Sequence, residues 1–367
     1  MPLLFQPIQF GELKLSNKIV IAPMCQYSAN EKGEPTFWHE QQWAQYALSG
    51  AGLCIVEATA VQPEGRISYA DLGLWNNQQA EKIKDILLKV KKISPMPIAV
   101  QLAHAGRKAS SNLPWKGGRQ ISANDDLGWQ TVSASHLPFH PEDMVPTALD
   151  ENGISLLIQD FTQAAKRAVN AGFDLIEIHA AHGYLLHQFL SPLSNQRTDE
   201  YGGNLENRMR LTLDVFKAIK ESVPKKYPIG IRISATDWVE NGWDIESSKI
   251  LAQKLEDLGA AYIHVSTAGL HIDQSIQIKE NYQVPFAEEI KKTVKIPVIA
   301  VGMISDADQA EEILQNHQAD AIGIARAILY NPHWPWHAAA KLGEKIQVSP
   351  QYLRSQPHGL KDLFISF

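Results

Sequence analysis

Residues 172–208 read GFDLIEIHAAHGYLLHQFLSPLSNQRTDEYGGNLENR. A strand-like run, Asp174 to Ile178, ends in His179, and His182 and Tyr184 follow within five residues. A polar turn comes next, Arg197-Thr198-Asp199-Glu200-Tyr201-Gly202-Gly203, closed by Asn207-Arg208. A short β-run ending in a titratable residue and a polar loop is what the catalytic end of a β/α barrel requires. Two imidazoles can hold a polar oxygen between them, and a nearby phenol can deliver a proton. The pair also has the look of half a metal site, but no third Cys, His or carboxylate stands at ligand spacing beside it.

Outward from this stretch the chain alternates. Apolar, β-branched runs occur at Lys18–Met24, Leu53–Glu57, Ile98–Leu102, Asp174–Ile178, Ile229–Ile233, Tyr262–Val265, Pro297–Val301 and Ala321–Ile324. Continuous apolar runs suit strands buried on both faces, as in a parallel sheet. Helical patterns lie between them. Ile154, Leu157, Ile158, Phe161, Ala165 and Ala168 keep one face apolar, and Gly172 is a plausible stop. Ser305-x-x-Asp308 predicts a helix cap after the seventh strand. Eight strands alternating with helices predict an α/β fold, a (β/α)8 barrel.

One such barrel takes about 250 residues, so insertions carry the rest of the 367. The expectation is a single domain over 1–367, with a core at about 18–340 and a tail at 341–367. Residues 1–17 are expected to cap the barrel floor. Residues 103–150 form a long loop after the third strand, and such loops are usually functional. The tail ends in an apolar stretch, Leu360–Phe367, docked on this subunit or shared with a partner.

The formal charge of −6 and pI near 6.1 argue against nucleic acid and anionic membrane surfaces. No apolar run reaches the roughly 18 residues of a membrane span, and the start lacks a signal-peptide pattern. Cys25 and Cys54 fall at different heights on adjacent predicted strands and should not bond, so a reduced, cytoplasmic protein is expected. Two cysteines also exclude an iron–sulfur cluster, which needs about four.

The run from His179-x-x-His182 through Arg197-Thr198-Asp199-x-Tyr201-Gly202-Gly203 to Glu206-Asn207-Arg208 closely resembles the signature of the Old Yellow Enzyme family. These are flavin-dependent reductases. The His-x-x-His form resembles the xenobiotic-reductase, "thermophilic-like" branch. The resemblance implies tightly bound, non-covalent FMN, with NADPH or NADH as co-substrate. It implies reduction of the activated C=C bond of α,β-unsaturated carbonyl compounds, with nitro compounds and nitrate esters as further acceptors. His179 and His182 would then grip the substrate oxygen, and Tyr184 would supply the proton. A homodimer or higher homo-oligomer is expected.

The resemblance extends to the other strand ends. Ala22-Pro23-Met24-Cys25-Gln26-Tyr27 resembles the segment whose backbone and cysteine meet the flavin edge and whose tyrosine reaches substrate. Ala58 gives a main-chain contact by resemblance alone. Gln101, both donor and acceptor, suits the uracil-like edge of an isoalloxazine. His104 and Arg107 are flavin contacts or loop supports, and Lys108 is placed at the substrate mouth. Arg232 pointing into a barrel is expensive unless paired. It is read as a partner for the flavin locus that turns anionic on reduction, or as half of an ion pair. Gly302 and Arg326, with Ala325 where relatives often carry glycine, suit a phosphate site at the last two strand ends. Tyr352-x-Arg354 resembles a segment that carries an arginine into a neighbouring subunit's site. No G-x-G-x-x-G opens a βαβ unit, so no separate nicotinamide domain is expected. The alternative reading is a flavin-free barrel lyase or isomerase that binds a phosphorylated substrate at the same loops. A barrel that binds ligand without turnover is a third, but it has no use for Cys25, Gln101, His182 and Tyr184 together.

Overall fold

In a computed structural model describing residues 1–367, eight parallel strands close into a barrel. They are β1 (Ile19–Ile21), β2 (Leu53–Ala60), β3 (Ile98–Ala103), β4 (Leu175–Ala180), β5 (Ile229–Ser234), β6 (Ile263–Ser266), β7 (Val298–Val301) and β8 (Ala321–Ile324). They neighbour one another in chain order, and β8 returns to pair with β1. Helices follow them in turn: α1 (Phe37–Ala47), α2 (Asn77–Val90), α3 (Glu151–Ala171), α4 (Leu205–Ser222), α5 (Ile245–Asp257), α6 (Val284–Thr293), α7 (Ala307–Gln315) and α8 (Arg326–Tyr330), with α9 (Trp334–Leu342) behind. Each expected strand run overlaps one barrel strand, and five of the strands run one to three residues beyond the expected end.

Local chemistry explains the boundaries. Asp150 caps α3 by accepting the Gly153 N–H at 2.8 Å, and Gly172 ends it at φ 97°. Ile154, Leu157, Phe161, Ala165 and Ala168 all face the core. The cap after β7 differs from expectation. Asp306, not Ser305, is the N-cap, and Gln309 completes the capping box. A box needs a Glu or Gln three residues on, long enough to reach back, and only Asp306 has one.

The barrel interior is stratified. Val20, Leu53, Ile55, Ala99, Leu175, Tyr262, Ile299 and Ala321 form an apolar floor, plugged from below by Phe10 and Leu15 of the hairpin Ile8–Phe10/Leu13–Leu15. The Phe10 ring lies 4.7 Å from that of Tyr262. Burying one such side chain contributes about 1.5–3 kcal/mol. Tyr262 crosses Gly230, where a Cβ would lie 2.1 Å from the ring, so that strand position has to be glycine. Above the floor sits a polar layer. Glu177 accepts from Gln101 Nε2 at 2.8 Å and Tyr262 Oη at 2.9 Å, and faces His264 Nδ1 at 2.9 Å. Burial pushes the Glu177 pKa up, but His264 and Arg232 bring it below the usual range.

The tail packs on its own subunit. Ile346–Val348 pairs in parallel with Phe364–Ser366, burying Leu363 and Phe364. Cys54 pairs with Ile21, four residues below Cys25, and both thiols are free. No helix is long and apolar enough to cross a membrane.

Candidate active site

The upper rim of the barrel collects the titratable groups. His179 sits near the end of β4, and His182 follows in a turn at φ 60°. Gly183 allows this turn to touch the loop after β6, because a Cβ there would lie 2.1 Å from the Gly269 carbonyl. Hydrogen bonds fix the tautomers. His179 Nδ1 accepts the Ala181 N–H at 3.2 Å, so its proton sits on Nε2. That nitrogen faces His182 Nδ1 at 3.3 Å, which leaves His182 Nε2 to donate to Ser266 Oγ at 2.8 Å. Burial, then the nearby Arg232, hold both imidazoles well below their ordinary pKa, so both are neutral. Tyr184 stands edge-on to His179 with ring centres 4.9 Å apart, and burial pushes its phenol pKa well up. Beneath the turn, His187 Nδ1 accepts the Gly183 N–H at 2.9 Å, and its Nε2 lies 2.9 Å from Asp237 Oδ1.

Arg232 rises beside this pair. It lines a cavity of about 540 Å3 with His182, Ser266, Gly302, Ala325 and Arg326. Its Nε is buried without a partner, and no carboxylate pairs with the guanidinium, the nearest one, Glu177, being taken by His264. The ion-pair reading of Arg232 therefore falls. Gly302 stands at φ 117°, which side chains rarely adopt. Its neighbour Val301 accepts from Gln283 Nε2 at 2.8 Å, while Gln283 Oε1 takes the Thr267 hydroxyl at 2.6 Å. Arg326 opens α8 at the same mouth, its Nη2 2.9 Å from Met303 Sδ and with no acid beside it.

Tyr27, Lys108, Phe139 and Tyr184 share a neighbouring cavity of about 420 Å3. Lys108 Nζ donates to the His182 carbonyl at 2.9 Å and the Gly269 carbonyl at 2.8 Å, and lies 5.2 Å from the Tyr184 ring centre. Burial, then Arg107, lower its pKa to about 8. Ala22 closes the barrel by donating its N–H to Ile324. Pro23, Met24 and Cys25 then carry the chain over the rim to Tyr27, at φ 52°. Ala58 follows a bulge in β2, beside Cys25. Gln101 spends its NH2 on Glu177, and no protein donor reaches its oxygen.

Two residues turn out to be supports. Arg107 holds the carbonyls of Leu137, Pro138 and Leu270, and His104 is buried with its pKa lowered to about 3 by burial. Arg354 is exposed on the turn Pro350–Ser355 and makes no hydrogen bond within its own chain. The polar turn 197–208 is scaffold as well. Arg197 grips Asp199 and the carbonyls of Ala134 and Leu149, while Arg208 holds that of Leu190 at 2.9 Å. Sequence reasoning missed Ser266, Gln283, Glu177, His264, His187 and Asp237. Glu177 and His264 did leave a signal: each is a polar residue flanked on both sides by apolar ones within a buried strand.

Residues 3–345 match the profile of the NADH:flavin oxidoreductase / NADH oxidase family. The chain belongs to that family. It is 42% identical to an NADPH dehydrogenase of Listeria innocua, over 96% of this chain and 98% of that one. A Geobacillus NADPH dehydrogenase is 39% identical over the same shares. Morphinone reductase superposes with a TM-score of 0.76 at 30% identity, over 99% of this chain and 96% of the other. The Old Yellow Enzyme resemblance therefore holds, and the protein is an oxidoreductase that uses FMN with NAD(P)H as reductant. The rim suits such a group: Arg232 forms no ion pair and its Nε has no partner, Gln101 keeps a free acceptor, and Gly302 and Arg326 supply backbone and charge where barrels bind phosphate.

Proposed function

We propose that this member of the family is an ene-reductase of the xenobiotic-reductase branch. Its substrates are α,β-unsaturated ketones, aldehydes and imides, with nitro compounds and nitrate esters as further acceptors. Bound FMN supplies hydride, taken from NAD(P)H and given to the alkene β-carbon. Gly302, Ala325 and Arg326 hold the phosphate, Arg232 and Gln101 the polar edges of the ring system, and Ala22, Pro23, Met24, Cys25 and Ala58 its remaining edge.

His179 offers its Nε2–H to the substrate oxygen, which polarises the double bond. His182 becomes a second donor once its proton sits on Nδ1, and the Ser266 hydroxyl then turns from acceptor to donor at Nε2. Tyr184 passes its phenolic proton to the α-carbon. Tyr27 and Lys108 line the approach. Because nicotinamide and enone use one site in turn, the kinetics are ping-pong. In a homo-oligomer the exposed Arg354 reaches a neighbouring subunit's mouth.

The observation that carries this reading is the neutral imidazole pair, one Nε2–H fixed as donor, edge-on to a buried phenol. The test is stopped-flow absorption. NADPH should bleach the flavin bands anaerobically, and 2-cyclohexenone should restore them with formation of cyclohexanone. Reduced protein that no enone, enal or imide reoxidises would remove the substrate class.

A further inference from the structure

Behind the Ala22–Tyr27 segment lies a buried pair that the reaction above does not use. Glu57 is 2% exposed and His39 0%. Glu57 is the residue that the β2 bulge inserts between Val56 and Ala58, and bulges re-aim side chains. Its Oε2 accepts the Gln26 N–H at 2.8 Å. Its Oε1 lies 3.2 Å from His39 Nε2, a contact bent off the ideal hydrogen-bond line. His39 Nδ1 accepts the Thr36 N–H at 3.0 Å in the capping box of α1, so the imidazole proton sits on Nε2, facing Glu57. Both carboxylate oxygens therefore face N–H groups. Trp38 Nε1 adds a second tie from α1, donating to Gln26 Oε1 at 3.0 Å. Glu57 thus holds the peptide immediately after Cys25.

We propose that Glu57 and His39 are positioning residues for Cys25, fixing the Cys25–Gln26 peptide and setting a negative charge behind the thiol. Other groups face the sulfur too: Asp71, Tyr27 and Tyr184 on one side of the balance and Arg232 on the other. Burial, then Asp71 and Glu57, push the thiol pKa well up. Asp71, whose own pKa burial raises to about 7, carries its full charge only at higher pH. The inference rests on the proposed function only for its consequence, a neutral sulfur at the flavin edge.

Cys54 is 1% exposed and Cys25 partly exposed, so alkylation of the purified protein by iodoacetamide reports Cys25, with Cys25→Ala as the blank. The rate is measured against pH for wild type, Glu57→Gln and His39→Gln. Glu57→Gln removes the charge. At pH about 8 it should alkylate at least about threefold faster, the change in thiolate for half a pH unit. His39→Gln can still complete the capping box but takes away the imidazole proton facing Glu57, so its profile should move the same way by less. If Glu57→Gln fails to fold, His39→Gln carries the test. Unchanged or slower alkylation in every variant that folds overturns the proposal. Flavin absorbance and enone turnover recorded on the same samples keep the two readings apart, since loss of the ene-reductase assignment leaves the thiol profile standing.

Discussion

Replacing Arg232 with methionine separates what this residue costs the fold from what it gives the site. Arg232 is 8% exposed, its Nε has no partner, and burial lowers its pKa. A buried charged donor left unsatisfied costs about 1–3 kcal/mol or more. Methionine keeps much of the length without the polar atoms. Glu177 is not stranded by the change, because Gln101, Tyr262 and His264 still face it. Flavin-stripped Arg232→Met should therefore be more stable than stripped wild type by about 1–3 kcal/mol. For a chain of 367 residues, unfolding entropy near 2 cal/mol/K per residue turns 2 kcal/mol into a rise of roughly 2–3 °C in Tm. With FMN bound the sign reverses. Losing a charged hydrogen bond worth about 1.5–3 kcal/mol should weaken FMN retention by about tenfold to a hundredfold. Scanning calorimetry of stripped protein and fluorescence titration with FMN measure the two effects. A stripped variant less stable than wild type, together with unchanged FMN affinity, would make Arg232 a structural residue and refute the reasoning.

Tyr184→Phe should slow reoxidation by enone by about 10²-fold or more, the usual share of a general acid, while reduction by NADPH stays within about twofold; equal effects on both half-reactions in stopped flow would remove the role. Lys108, lowered to about 8, carries its charge below that pH and loses it above. Affinity for phenolate ligands, read from the charge-transfer band, should thus fall as pH rises through about 8, and Lys108→Met should lose that limb. Arg197→Met strips five hydrogen bonds, to Asp199 and to the carbonyls of Ala134 and Leu149. It should lower stability by roughly 2–4 kcal/mol in denaturant titrations without altering the absorption spectrum; a stability loss near zero would contradict the scaffold assignment.

The barrel was legible because parallel strands buried on both faces advertise themselves as apolar runs, and all eight did. The helix cap at 306 was misplaced by one residue because Ser305 and Asp306 are both good caps, and only the reach of Gln309 chooses between them. Candidates such as His179, Gln101 and Arg232 stand near the rim because strand ends are fixed once the strands are, whereas Ala58 was named by resemblance alone. What stayed hidden was pairing across the barrel. Nothing in Leu-Ile-Glu-Ile-His says that Glu177 will meet Tyr262 and His264, about 85 residues on. The signature Arg197–Arg208 had the converse fate: it named the family, yet its side chains hold backbone carbonyls rather than substrate.

The vertical order of the barrel bears on the protonation state of the rim imidazoles. Phe10 and Leu15 pack fully buried into the floor. The one carboxylate of the middle layer, Glu177, is held by His264, Gln101 and Tyr262 and forms no ion pair with Arg232. Glu177 and Arg232 still feel each other's charge, yet burial, then Arg232, hold His179 and His182 well below their ordinary pKa. A neutral His179 with Nδ1 fixed as acceptor can only donate through Nε2, toward the place where a carbonyl oxygen would arrive. If Glu177 were free to pair with Arg232 instead, the imidazoles would lose the charge that opposes their protonation. On this argument His264→Leu, which releases Glu177, should raise the pH at which the His pair takes up a proton, seen as an acid-side shift in carbonyl-ligand binding. A pH profile unmoved in a folded His264→Leu protein would show that burial alone keeps the pair neutral.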